Sequence, residues 1–428
     1  MPTIAALEAL EILDSRGNPT LQVEIRLSDG VSASAAVPSG ASTGRNEAVE
    51  LRDEEDARYG GRGVLAAVGA VCRQIGDLLV GTGLGELGDV VAADRRMIAL
   101  DGTPKLSRLG ANAVLGVSVA MTRALARSRG VPVWDLLARH LGAEPRLPVP
   151  HFNVVNGGAH AANELAFQEF MIAPVGSPSY AEALRSGAEI YHRIRASLSD
   201  RGDPVGLGDE GGFAVGLSRP EEVLGLLVEA IDTAGYRADR DGVGIALDPA
   251  ANGFRTTGGY LPGGERLSST DMVDWYDELV GRFPIWSLED GLAEDDWTGW
   301  QQLTSRLADR VQVVGDDIFV TDAETVRRAA REHVGTACLV KPNQIGSVAG
   351  TLETVDTCRS LGYAQMVSHR SGETTDTFIA DLAVGIGCGQ IKSGAPARGE
   401  RLAKYNRLLE IEHRTSLPYG LLRPDKGQ

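Results

Sequence analysis

The sequence predicts an α/β fold, a (β/α)8 barrel preceded by a smaller α+β domain. Two observations carry that prediction. Six short apolar runs in the second half of the chain each end on an ionisable residue. They are GVGIAL before Asp248, FPIWSL before Glu289, VQVVG before Asp316, ACLV before Lys341, AQMVS before His369 and CGQI before Lys392. Successive ends lie 41, 27, 25, 28 and 23 residues apart, the period of a strand plus its returning helix. In such a barrel the carboxyl ends of the strands converge on one mouth, where active sites sit. The second observation is length: 428 residues accommodate a barrel of ~250 residues and one smaller unit.

The elements follow in order. Residues 21–27, LQVEIRL, alternate apolar and polar as a half-buried strand does, and VSASAAV follows across Ser28-Asp29-Gly30, which reads as an antiparallel hairpin. Helical patterns then cover 63–80 and 111–128. Residues 142–150 hold three prolines, Pro145, Pro148 and Pro150, each restricting its predecessor to extended shapes. The expected domains are therefore 1–141 and 150–428. Beyond the junction, Ser218 with Glu221 and Thr321 with Glu324 read as capping boxes, opening helices over 223–234 and 326–332. The longest interval contains a glycine-rich loop at 258–264.

Composition excludes several function classes. The apolar fraction of 43% and charged fraction of 23% suit a globular protein. A net charge of −16 argues against general nucleic-acid binding. It also means that an anionic ligand needs metal ions or local cations to overcome an acidic background. The N-terminus lacks a basic start and does not read as a signal peptide. No apolar run approaches the ~18 residues of a membrane span. Cys72, Cys338, Cys358 and Cys388 show no metal-ligand spacing and read as reduced thiols. A cytoplasmic protein is expected.

Asp248, Glu289 and Asp316 end three consecutive strands. Oxygen-only ligands at a barrel mouth suit Mg²⁺, which completes its shell with waters and substrate oxygens. Helix capping accounts for one acidic strand end, not for three in succession at one mouth. Asp317 is set aside because side chains alternate along a strand, and Glu294-Asp295-Asp296 read as acidic residues opening a helix. Lys341 and Lys392 project into the same mouth. A lysine close to divalent cations is pushed toward its neutral form and can act as a general base, while the other can stay charged and bind a carboxylate. Glu210 in GLGDEGGF and Glu169 in AFQEFMIAP precede the six-strand series. Two carboxylates near a metal site can share protons, which raises one pKa enough for it to act as an acid. Arg370 and Ser371 offer a fork donor and a hydroxyl suited to phosphate. The run SGASTG at 39–44 reads either as an ordinary turn or as a loop lending backbone groups to a phosphate or metal. His160, in NGGAHAAN, is either a satisfied loop histidine or a site member.

The motifs DSRGNPT, VPSGASTG, LGANAVLGVS, NGGAHAAN, QEFMIAP, GDEGGFA, LEDGLAEDDW, LVKPNQIG, SHRSGET and GQIKSGAPARGERLAKYN run nearly end to end, and with them the chain resembles the enolase family. The resemblance implies an enolase-type barrel that dehydrates 2-phosphoglycerate. It implies Mg²⁺ ligation by Asp248, Glu289 and Asp316, with the Ser42 backbone on a second, substrate-dependent Mg²⁺. Lys341 would be the base and Glu210 the acid, with Glu169 beside it. His160, Arg370 and Ser371 would hold the phosphoryl end and Lys392 the substrate carboxylate, with His369 lining the site. It also implies a homodimer or an assembly of dimers.

The match thins at 249–255, at 104–108, at Val215-Gly216 and at Pro342. Such drift suits either a housekeeping enolase or a paralogue acting on a modified phosphoglycerate, such as a carboxyphosphonoenolpyruvate synthase. An acid-sugar dehydratase of the wider superfamily would carry a Lys-x-Lys pair on an early strand, and 169–174 has none. A non-catalytic scaffold is disfavoured because no metal ligand is lost, and neither is Lys341.

Overall fold

A computed structural model describes residues 1–40, 44–53, 58–161 and 163–421. The N-terminal part contains an antiparallel sheet of Ile4–Leu13, Pro19–Leu27 and Ser32–Ala36, with Pro19–Leu27 central. Leu21, Val23, Ile25 and Leu27 of the central strand are buried, and the expected hairpin turns through Gly30 at φ +87°. The first strand has no counterpart in the sequence reading. Its residues, IAALEALEIL, are mostly strong helix formers, but pairing along the central strand overrides that propensity. Helix Ala111–Arg129 lies across this sheet with nearly every residue of its first four turns buried. Gly116 permits the approach: a Cβ there would stand 2.7 Å from Val23 Cγ2.

Eight strands close the barrel: Val149–Asn156, Glu169–Ala173, Gly244–Asp248, Ile285–Glu289, Gln312–Gly315, Ala337–Val340, Ala364–Ser368 and Gln390–Lys392. The last pairs with the first. One strand runs against the rest. Glu169–Ala173 is antiparallel to both neighbours, so its first residue, not its last, faces the mouth. Glu169 accordingly sits in register with Asp248, the end of the next strand.

The two expected capping boxes are corrected. Helix Pro220–Thr233 starts from Arg219, without a side-chain cap, because Pro220 at its first position presets φ and needs no donor. Helix Ala323–Glu332 is capped by Asp322, whose carboxylate accepts from Thr325 N at 2.8 Å. Thr321 stands at φ +56° with its hydroxyl used elsewhere. The Glu294–Asp296 reading holds, since the Asp296 side chain caps helix Trp297–Leu307. The glycine-rich excursion forms a small hairpin, Arg255–Thr256 against Gly259–Tyr260.

The N-terminal sheet and its helices share one hydrophobic cluster with barrel residues such as Val340, Val348 and Ile379. A polar clamp lies inside that contact. The Asp94 carboxylate accepts from Ser118 Oγ at 2.7 Å and from Ala349 N at 2.9 Å, and Ser118 Oγ in turn accepts from Val348 N at 3.0 Å. Residues of the N-terminal part thus satisfy the first amides of barrel helix Val348–Leu361. Asp94 Oδ1 finds no partner. Among the described residues, no helix is long and apolar enough to cross a membrane.

Burial pushes the Asp94 carboxyl up to about 7 from 3.8. A raised folded-state pKa stabilises the fold below the unfolded value, and that contribution is lost as pH rises through the folded value. The stability advantage of the wild type over Asp94→Asn should therefore shrink between pH 4 and pH 7, by up to ~4 kcal/mol. Urea midpoints of the two proteins across that range check this, and parallel profiles would contradict it.

Candidate active site

The mouth gathers the strand-end residues into one buried cluster. Lys392 Nζ lies 2.7 Å from Glu289 Oε1, 3.2 Å from Glu169 Oε2 and 3.3 Å from Asp248 Oδ2. Burial opposes this ammonium, but the surrounding carboxylates hold its pKa well above the usual lysine range. Burial and then the Asp248 charge push Glu289 well up, and its Oε2 has no hydrogen-bond partner.

Lys341 Nζ donates to Asp316 Oδ2 at 2.5 Å. Burial works against the Lys341 ammonium, and the Asp316 charge holds it up. Burial likewise raises Asp316, but Lys341 brings it below the ordinary carboxylate range. The other oxygen, Oδ1, accepts from Gln344 Nε2 at 2.8 Å. Gln344 is oriented in turn by Thr321, whose Oγ1 donates to Gln344 Oε1 at 2.6 Å and accepts from Lys341 N at 2.9 Å. Below them Asp290, at φ +39°, accepts from Asp316 N and Asp317 N, both at 2.9 Å. Asp317 does not point away as expected. The strand ends at Gly315, so alternation no longer applies, and Asp290, Asp316 and Asp317 bring ligand atoms within 4.8 Å of one another.

A second group forms around Glu210. His160 Nδ1 lies 3.6 Å from Glu169 Oε1 and 3.7 Å from Glu210 Oε1, and has no hydrogen-bond partner. His369 Nε2 is 3.3 Å from Glu210 Oε2, which also accepts from Asn153 Nδ2 at 3.0 Å. Burial pushes His369 down to about 4 and lowers His160 as well, so both imidazoles are neutral at pH 7. Burial, then the Glu210 charge, raise Glu169 well above the ordinary value. Burial raises Glu210 too, but its contacts with His369 and His160, and the Arg401 charge behind them, bring it well below. The two carboxyls, which bring oxygens within 4.8 Å of each other beside His160, are thus pushed in opposite directions, Glu169 toward its protonated form.

At the rim, Arg370 Nη1 donates to Glu47 Oε2 at 2.9 Å and to Asn343 Oδ1 at 3.0 Å, and Ser371 is buried beside it. Ser42 lies outside the described residues. Its flanks reach the mouth: Ser39 and Gly372 exchange backbone hydrogen bonds of 2.7 and 2.9 Å, and Gly44 N donates to Glu47 Oε1 at 3.0 Å.

Five buried carboxylates, Glu169, Glu210, Asp248, Glu289 and Asp316, surround the buried Lys392 ammonium and the largely buried Lys341 ammonium. The unpartnered Glu289 oxygen and the all-oxygen donor set fit a hard divalent cation. Reading the sequence missed Glu47, Asn153, Asp290, Gln344 and Arg401. Gln344 and Arg401 lie inside quoted motifs, LVKPNQIG and GERLAKYN, but nothing local marks a side chain that acts across the barrel.

Residues 144–417 match the family described as "Enolase, C-terminal TIM barrel domain", and residues 4–137 match "Enolase, N-terminal domain". Similar curated proteins include the enolase of Rubrobacter xylanophilus, 54% identical over 96% of this chain and 95% of that protein. Those of Acidothermus cellulolyticus and Kineococcus radiotolerans are each 52% identical over 96% of this chain and 94% of theirs.

Asp290 holds the turn that aims Asp316. Asp290→Ala removes both of its acceptors and should weaken Mg²⁺ binding ~10- to 100-fold, while Asp290→Asn, which keeps one acceptor oxygen, should lose less. Calorimetric titration of Mg²⁺ measures both, and unchanged affinity in the alanine variant would remove this role.

Proposed function

The chain belongs to the enolase family, and on that premise we propose how its mouth divides the work. The reaction is that of an enolase-type hydro-lyase: 2-phosphoglycerate loses its α-proton and then hydroxide, giving phosphoenolpyruvate. Asp248, Glu289 and Asp316 would hold one Mg²⁺, and the Ser42 backbone would contribute to a second that comes with substrate. Bound Mg²⁺ supplies positive charge against the dianion that builds when a proton leaves the carbon beside a carboxylate.

Lys341 is the base. Its side chain is largely withdrawn from solvent, its backbone is tied to Thr321 and its ammonium is held by Asp316, so any competing claim on the Asp316 charge leaves desolvation to favour the neutral amine. Glu210, with Glu169, is the acid for the departing hydroxyl, and the push of neighbouring Glu169 toward its protonated form supports that role. Lys392 takes the substrate carboxylate. Asp248 and Glu289, two of its three partners, would also be ligands of the cation, which would leave its charge free for that carboxylate. His160, Arg370 and Ser371 hold the phosphoryl end, with His369 lining the site. The observation that carries the reading is this pairing at one mouth of a largely buried lysine, held by Asp316, with the neighbouring buried carboxyls of Glu169 and Glu210.

The division into 1–141 and 150–428, a cytoplasmic location and a homodimer complete the proposal. The resemblance supports the dimer, and the four free cysteines suit the location. No observation favours a modified phosphoglycerate as substrate.

Appearance of phosphoenolpyruvate absorbance from 2-phosphoglycerate and Mg²⁺ tests the reading, with kcat/KM above ~10⁴ M⁻¹s⁻¹ expected. Chelation, Asp316→Ala and Glu289→Ala should each abolish turnover without unfolding the chain. Activity in chelated protein would sink the metal assignment. Lys341→Ala should stop exchange of the α-proton with deuterated solvent. Glu210→Gln should keep that exchange and block elimination, so loss of both activities in Glu210→Gln would overturn the split between base and acid.

A further inference from the structure

Arg401 lies near the start of helix Gly399–Arg414 and is fully buried. Its four Nη hydrogens meet four acceptors. Nη1 reaches His369 Nδ1 at 2.5 Å and the Arg370 carbonyl at 2.6 Å. Nη2 reaches the Ser371 carbonyl at 2.5 Å and the Asp209 carbonyl at 3.2 Å. A guanidinium carries donors only and does not give up its proton. His369 Nδ1 must therefore accept, because a proton on it would face a buried N–H at 2.5 Å. The ring proton is left on Nε2, 3.3 Å from Glu210 Oε2.

That oxygen already accepts from Asn153 Nδ2 at 3.0 Å. Two donors fill Oε2, and neither leaves room for a proton on it. The other oxygen, Oε1, faces His160 Nδ1 and its neighbour Glu169.

We propose that Arg401 is a positioning residue of the reaction: by fixing His369 as the Nε2–H tautomer it fills Glu210 Oε2 with donors and reserves Oε1 for the proton delivered to the leaving hydroxyl. Oε1 takes the proton from the neighbouring Glu169 carboxyl and passes it to the departing oxygen as the carbon–oxygen bond breaks, which releases water and leaves both carboxylates ionised. Without Arg401 the imidazole can carry its proton on either nitrogen. With Nε2 bare, the Glu210 proton would be drawn to Oε2, away from the substrate. The inference rests on reading Glu210 as the acid. A purely structural Arg401 would only tie the Asp209 loop to residues 369–371, and its loss would then weaken every step together.

Two measurements on the full chain decide the matter. Histidine-selective ¹⁵N labelling, with His369→Gln to assign the signal, reports which ring nitrogen carries the proton. The expected result is a protonated Nε2 and an acceptor-type Nδ1 from pH 6 to pH 9. An Nδ1–H tautomer, or an imidazolium at pH 7, would overturn the proposal. Arg401→Lys keeps the charge but cannot serve all four acceptors. It should slow dehydration at least ~10-fold while α-proton exchange stays within ~3-fold of wild type. An equal fall in both would leave Arg401 a mere tether and overturn the proposal. If Arg401→Lys does not fold, the tautomer alone decides. A wild-type chain that exchanges the α-proton of 2-phosphoglycerate but never eliminates would instead remove Glu210 as the acid, and the tautomer would be read independently of it.

Discussion

Everything at the mouth depends on one imbalance: more carboxylates are buried there than cations. An ionised group inside a protein is costly unless it is paired, and Lys341 and Lys392 can answer only part of the charge of Glu169, Glu210, Asp248, Glu289 and Asp316. The remainder pushes Glu169 and Glu289 toward their protonated forms and is met by dense hydrogen bonding, as at Asp290 and Gln344. The same imbalance makes the site receptive. A divalent ion relieves repulsion that the fold has already built in, so part of the organisation needed for binding is present beforehand.

That organisation is distributed over the chain. Arg401 ties residues 369–371 to the Asp209 loop, and Glu47 of the N-terminal part takes Arg370. The Asp94–Ser118 clamp reaches the barrel helix that follows the Lys341–Gln344 turn. The smaller domain is thus bonded to the barrel at the rim and again behind Lys341, so the two parts set the mouth together.

What could be read from the residues divides along a physical line. The strand-end residues were legible because a buried run with a charge at its end is improbable unless the charge has somewhere to go, and the barrel period says where. Asp248, Glu289, Lys341 and Lys392 needed nothing more. Glu169 is different: its motif is recognisable, but only the antiparallel pairing explains how the first residue of a strand reaches the mouth. The Ile4–Leu13 strand was invisible because its local propensity points the wrong way. The caps at Ser218 and Thr321 failed because a neighbour, Pro220 in one case and Asp322 in the other, supplied a better helix start. Asn153, Gln344 and Arg401 act on partners 57, 28 and 32 residues away, and none of them stands at a strand end where the barrel period would find it.

The position of Lys392 gives the assembly of this barrel a direction in time. It stands on the last strand, which closes the ring against Val149–Asn156 after some two hundred intervening residues. Glu169, Asp248 and Glu289 are made earlier on the ribosome and can pair in register before that closure. A nascent chain lacking its final strand therefore presents three neighbouring carboxylates with no ammonium among them, and water must solvate them. The interior of the mouth can dry only when the closing strand arrives, because that strand brings the charge that lets water leave. Closure of the sheet and desolvation of the catalytic centre are, in this chain, a single late event.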